Sequence, residues 1–240
     1  MKKVIHEYDN GFKPKNVKIK DNYNFYPSSI IYNIFNFIFL LLTKILIIIP
    51  KLLMGFKVYG KNNLKDINNA VFISNHVHFM DAFLIGTSIF PKRLYCTTIK
   101  SNLGFSFISK YFRICGAVPI PNILNQKKRF LTQSISTLKS NSILFFPEVS
   151  LIPFCNKIRE FDTGAFNIAI KSNSLIVPII LTFHKPKGIY KFIRRKPLVH
   201  LNILKPYKPT DKEIAKNELY EIMNSYFLAF SDFDTNCSNS

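Results

Sequence analysis

Acidic residues are scarce in this chain of 240 residues. Only 14 Asp and Glu stand against 33 Lys and Arg, which leaves a formal charge of +19. That imbalance predicts attraction to a polyanion, with nucleic acid and an anionic lipid surface as the two candidates. Arginine is scarce as well, 6 against 27 lysines, so the guanidinium forks expected of phosphate readout are mostly missing. No helix-turn-helix, zinc-finger or stacking-platform signature accompanies the charge, which disfavours nucleic acid. The four cysteines, Cys96, Cys115, Cys155 and Cys237, include no closely spaced pair. That excludes a zinc pattern and gives no disulfide framework, and it predicts a reducing cytoplasm. Cys96 and Cys115 are expected to be small buried thiols. There are no internal repeats and no signal-peptide cleavage pattern.

Apolar residues are abundant, at 48 % of the chain, enough for a substantial core and too many for a disordered protein. After a polar, Lys- and Asn-rich start, residues Ile30 to Ile49 are almost wholly apolar. Twenty residues at about 1.5 Å each just reach across a hydrocarbon layer of about 30 Å. Asn33, Asn36 and Lys44 interrupt the run, Pro50 is expected to stop it, and lysines flank both sides. Two cationic flanks give no orientation for a span. They suit a helix, or a bent helix pair, lying in one leaflet with both ends at the anionic cytoplasmic face. Membrane association at that face is therefore expected, monotopic in preference to spanning.

Beyond residue 60 the pattern alternates between strands and helices. Strands are expected at Val71–Ser74, Arg93–Ile99, Cys115–Ile120, Ser142–Phe146, Leu175–Thr182 and Val199–Ile203. Helices are expected near Met80–Phe90, Ser101–Arg113, Asn125–Ser140, Thr163–Ser172 and from a Thr210-Asp-Lys-Glu213 capping box to Phe230. This alternation predicts an α/β fold with a mixed, largely parallel sheet flanked by helices. The expected division is a basic arm and membrane-associated helical segment over 1–60, an α/β domain over 61–232 and a polar tail over 233–240.

The chemistry concentrates at Val71-Phe-Ile-Ser-Asn-His76-Val-His-Phe-Met-Asp81. On a continuous helix, five residues at about 100° each would put His76 and Asp81 on different faces. They can meet only if a strand ends near His76 and the chain turns before a helix that starts at Asp81. A polar turn after an apolar strand supplies that geometry. His78 lies two residues on, but two histidines without further ligands at suitable spacing do not make a metal site. His6, His184 and His200 show no partner pattern.

Asn75-His76, four residues, then Asp81 resembles the motif of the glycerolipid acyltransferases, and further blocks follow in order. Gly116-Ala-Val-Pro-Ile120 resembles the second block and Phe146-Pro147-Glu148 the third. Phe161-Asp-Thr-Gly164-Ala-Phe166 resembles the segment after it, and Ile176-Val-Pro-Ile179 the fourth. Within that family the chain is most similar to 1-acylglycerol-3-phosphate acyltransferases. The resemblance implies transfer of a fatty acyl group from acyl-CoA or acyl carrier protein to the free hydroxyl of a lysophospholipid, in phospholipid synthesis. No tightly bound cofactor is implied. His76 would be the general base, since an imidazole ordinarily titrates near neutrality. Asp81 would orient its ring, with no covalent acyl-enzyme. Asn75, Gly116, Ile120, Asn122, Phe146, Pro147, Glu148 and Ser150 fall in or beside the blocks and are expected to bind substrate.

The chain departs from the family at two places. Asn122 stands where the second block usually ends in Arg, and Val149-Ser150-Leu151 stands where Gly-Thr-Arg usually follows Phe-Pro-Glu. Those arginines are the family's expected phosphate contacts. Lys157 and Arg159 are expected to supply the cation instead. The alternatives are another lyso-lipid acceptor, such as a lysophospholipid or lyso-aminolipid, and a catalytically inactive lipid-binding protein. The expected partners are anionic inner-leaflet lipids, the lysophospholipid acceptor and an acyl carrier protein.

Overall fold

A computed structural model describes residues 17–104 and 106–233, with side chains 106–108 left out of the description. The expected tail, 233–240, and the first sixteen residues of the expected arm therefore lie almost wholly outside the described residues. Seven strands form one sheet: β1 (Lys57–Tyr59), β2 (Val71–Ser74), β3 (Leu94–Thr98), β4 (Ala117–Pro119), β5 (Ser142–Phe145), β6 (Ile176–His184) and β7 (Leu198–Ile203). Their order is β1-β7-β6-β2-β5-β3-β4. Every pairing is parallel except β6 with β7. The central strand β2 is buried at all four positions. Its unbroken apolar run is what a parallel strand covered on both faces requires.

The helices are α1 (Ile30–Leu46), α2 (Ile48–Leu53), α3 (Asp81–Ile89), α4 (Ser106–Ile114), α5 (Leu124–Thr137), α6 (Gly164–Lys171), α7 (Tyr190–Ile193) and α8 (Lys212–Phe230). α1 packs on α3 and α4, while α6 packs on α5, α8 and β2. The expected helix over Ser101–Arg113 is divided by Gly104 into a 3₁₀ turn, Lys100–Leu103, and α4. Glycine has the lowest helix propensity after proline, and the break falls there. The cap of α8 also lies one residue later than expected. The carboxylate of Asp211, not Thr210, accepts from the amides of Glu213 (2.8 Å) and Ile214 (3.0 Å), aspartate being at least as good an N-cap as threonine.

The apolar stretch forms a bent helix pair. Pro50 does not stop it but sits in the first turn of α2, where a missing N–H is tolerated. Its ring would clash with the carbonyl four residues earlier in a continuous helix, so the break falls upstream at Ile47. No helix among the described residues is long and apolar enough to cross a membrane.

Two segments before residue 61 belong to the α/β fold. β1 pairs with β7. Residues 17–29 form a strap in which Phe25 and Tyr26 are buried. The Tyr26 hydroxyl bonds Ser134 at 2.7 Å, and the Phe25 amide donates to Gln133 Oε1 at 2.8 Å, both partners lying on α5. Cys96 and Cys115 are free thiols, and burial pushes the Cys96 thiol up to about 12.

Candidate active site

The site lies where the parallel strands end, the edge at which open α/β sheets hold their ligands. β2 stops at Ser74, the chain turns through residues 75–80, and α3 begins at Asp81. Asn75 fixes the strand end. Its amide donates to the Leu181 carbonyl (3.0 Å) and accepts from the Leu181 N–H (2.9 Å), so a side chain continues the β2–β6 ladder for one more rung. The turn then brings His76 Nδ1 within 2.9 Å of Asp81 Oδ2.

Asp81 is fully buried, and the His76 side chain is 24 % exposed. Oδ2 also accepts from the amides of Val77 (2.8 Å) and His78 (2.9 Å). An oxygen that already accepts two N–H groups meets Nδ1 as an acceptor, so Nδ1 donates to it, and in the neutral ring the lone pair then lies on Nε2. Nε2 makes no hydrogen bond to the described residues. The Phe146 ring stacks on the imidazole at 4.1 Å between centroids. The imidazole is thus fixed at its backbone, its inner nitrogen and one ring face.

The loop after β5 holds the same strand end from the other side. The amides of Ile152 and Phe154 donate to the carbonyls of His76 (3.2 Å) and Val77 (2.9 Å), and Asp162 N–H donates to the Pro147 carbonyl (2.8 Å). Inside this loop Glu148 Oε2 accepts from the His76 amide (3.1 Å) and from Arg159 Nη2 (2.7 Å), while Oε1 accepts from the Arg159 amide (2.9 Å). Burial pushes the Glu148 carboxyl up, and Arg159 opposes that shift. Arg159 Nη1 also donates to the Ser150 hydroxyl at 2.6 Å. A buried carboxylate survives when it is paired and hydrogen-bonded in this way. Val149 has a left-handed backbone at φ +67°. That conformation is strained for a β-branched residue.

Of the expected site residues, the structure brings together Asn75, His76, Asp81, Phe146, Pro147, Glu148, Ser150 and Arg159. Gly116, Ile120 and Asn122 lie beside β4, three strand spacings or about 14 Å from β2 across the sheet. Gly116 has a backbone task. At φ +100° an added Cβ would stand 2.7 Å from the Leu94 carbonyl, so the entry to β4 requires glycine. Ile120 and Asn122 are exposed, as is Lys157. Arg159 is committed to Glu148 and Ser150 rather than left open. Among the described residues no group of three or more His, Cys, Asp or Glu converges as a metal site.

Two residues were missed by sequence reasoning. Phe154 packs edge-on against His78, at 5.7 Å between ring centroids. Lys196, from the connection between β6 and β7, holds its ammonium 5.7 Å from the Phe154 ring. Burial lowers the His78 pKa, and Lys196 and Arg194 add to that shift. The available signal was the Arg194-Arg195-Lys196 run, which reads in sequence as a solvated face.

Comparison with known proteins gives a family and a fold. The family model described as Acyltransferase matches residues 55–182. A solved structure, the 1-acyl-sn-glycerophosphate (LPA) acyltransferase PlsC from Thermotoga maritima, superposes with a TM-score of 0.55 at 20 % identity. The match covers 74 % of this chain and 73 % of that one and shows a shared fold. No curated protein matches. More than half of the chain, with its strand-end histidine and aspartate, falls within the matched family, and the protein belongs to the acyltransferases.

Proposed function

We propose that the chain transfers a fatty acyl group from acyl-CoA or acyl carrier protein to the free hydroxyl of a lysophospholipid. 1-Acylglycerol-3-phosphate is the leading acceptor and phosphatidic acid the product. The observation that carries this reading is the 2.9 Å contact between His76 Nδ1 and Asp81, which leaves Nε2 as the acceptor for a substrate proton. The acceptor hydroxyl oxygen attacks the thioester carbonyl carbon while its proton passes to Nε2. Asp81 stabilises the imidazolium that results. The tetrahedral intermediate then collapses, the C–S bond breaks, and the thiolate takes the proton from His76. Acyl group, proton and electrons balance without an enzyme nucleophile.

Glu148 and Arg159 act in this reading as positioning residues, holding the amide of the base and the loop beside it. A second reading keeps the chemistry and changes the acceptor to another lyso-lipid. It is favoured by the commitment of Arg159 to Glu148 and Ser150, together with Asn122 and Leu151 in place of arginines. If the acceptor does carry a phosphate, Lys196, whose ammonium lies 5.7 Å from the Phe154 ring, is a cation the β6–β7 connection offers it.

The α1–α2 pair is assigned to one leaflet of an anionic bilayer. Its outer face exposes Ile30, Ile31, Ile34, Phe35, Leu46 and Ile49, among other apolar side chains. Two of its polar side chains, Asn36 and Thr43, are buried, and Asn36 reaches the Ile114 carbonyl at 2.7 Å, while Asn33 and Lys44 stay exposed. A helix pair built that way faces hydrocarbon.

The test is labelled acyl-CoA supplied to the full-length protein with a panel of lyso-lipids. Transfer to lysophosphatidic acid above the rest supports the leading acceptor, and preference for a lyso-lipid without a phosphate monoester supports the second reading. No transfer to any member, from acyl-CoA or from acyl carrier protein, would overturn the proposal.

A further inference from the structure

β6 and β7 are antiparallel neighbours, a geometry that two to five residues can connect. The chain uses thirteen, Lys185 to Pro197. They contain six cations and no acidic residue, and the short helix α7. Three large apolar side chains there point to solvent: Ile189 is 70 % exposed, Phe192 87 % and Ile193 63 %. Exposed side chains of this size, grouped on one turn, call for a nonaqueous partner.

The tip is also fixed in place. The Tyr190 hydroxyl donates to the Leu52 carbonyl at 2.6 Å, and Arg194 Nη1 donates to the Leu53 carbonyl at 2.7 Å. These are C-terminal carbonyls of α2, which have no partner within the helix. Leu52 and Leu53 themselves expose their side chains. The apolar surface of α2 therefore runs on into α7 through two hydrogen bonds.

We infer that residues 185–197 are a second lipid-contacting element, which inserts Ile189, Phe192 and Ile193 into the same anionic bilayer leaflet as α1–α2. This rests on the assignment of α1–α2 to the bilayer. Continuity with that face sets the depth of the tip, and its cations suit anionic headgroups. Because Lys196 closes this connection beside Phe154, contact at the tip also sets the mouth of the active site at headgroup level.

The chain contains no tryptophan, so one introduced indole is an unambiguous reporter. Full-length Phe192→Trp and Leu42→Trp, the latter on the exposed face of α1, are each mixed with vesicles of phosphatidylglycerol and phosphatidylcholine. Both reporters are expected to shift to shorter wavelength and to lose quenching by aqueous iodide. Both shifts should be larger than with phosphatidylcholine alone. In a tryptophan-free background, Phe192→Asp with Ile193→Asp should lower vesicle partitioning on the order of 10²-fold.

A shift at position 42 without one at 192 overturns the inference and leaves the α1–α2 assignment standing. No shift at either position overturns both. A shift at 192 that needs no vesicles and grows with protein concentration would assign the tip to a second copy of this chain, and would also overturn the inference.

Discussion

The His76 cluster and the α1–α2 pair both bury polar side chains, and they do so to different ends. At the cluster the buried carboxylates serve to fix other groups. Asp81 holds a ring and two amides, and Glu148 holds an amide and a guanidinium. The apolar residues around it, from Val71 to Ile73, are buried in the usual way. In α1 the arrangement is turned inside out. Asn36 and Thr43 face the protein while isoleucines and leucines face outward. Inward polarity in the first region is organised for geometry, although Asp81 Oδ1 and Arg159 Nε are buried without a hydrogen-bond partner. Polarity inward with apolarity outward, in the second, is the arrangement on which the proposed lipid contact rests. The same residue types thus report on position by the direction they face.

The comparison can be broken at either end. The largest effect belongs to Asp81→Asn, whose amide oxygen can still accept from Val77 and His78 but which cannot stabilise an imidazolium by charge. Turnover should fall about 10²–10⁴-fold with the fold retained by circular dichroism, and a loss of only a few-fold would remove Asp81 from the mechanism. Glu148→Ala leaves the Arg159 guanidinium buried without its counter-charge, which should destabilise by about 3–5 kcal/mol in denaturant titration.

In the helix pair, Asn36→Leu leaves the Ile114 carbonyl without its donor and should cost about 1–2 kcal/mol. Leu42→Gln on the outer face should leave stability within about 0.5 kcal/mol yet weaken vesicle binding. If Leu42→Gln proved the more destabilising of the two, the inside-out description of α1 would be wrong. The smallest expected effect is at the loop. Val149→Gly relieves the left-handed strain against the added backbone entropy, for a net gain of about 0.5–2 kcal/mol.

Much of this arrangement is legible in the sequence, and what is missing has physical reasons. The turn between His76 and Asp81 is readable because an apolar run stops at polar residues and Asp81 opens a helical pattern. β1 is not readable, since Lys57-Val58-Tyr59 is three residues long and exposes both ends, leaving no alternation to detect. Asn36 reads as a flaw in an apolar helix, because its partner, the Ile114 carbonyl, lies at the end of a distant helix. Arg159 reads as a free cation for a substrate phosphate. Only the closed loop from Pro147 to Asp162 shows it held by Glu148. The chemistry of neighbours in sequence is thus visible, and the commitments made across loops are not.

The central claim is that His76, held by Asp81, takes the proton of the acceptor hydroxyl. It is tested most directly by His76→Ala in the full-length protein, assayed with labelled acyl-CoA and the best acceptor of the lyso-lipid panel. The account predicts that turnover falls by about 10²–10⁴-fold while vesicle binding and the unfolding midpoint stay near those of the wild type. Undiminished turnover in a variant that folds and binds vesicles normally would contradict it.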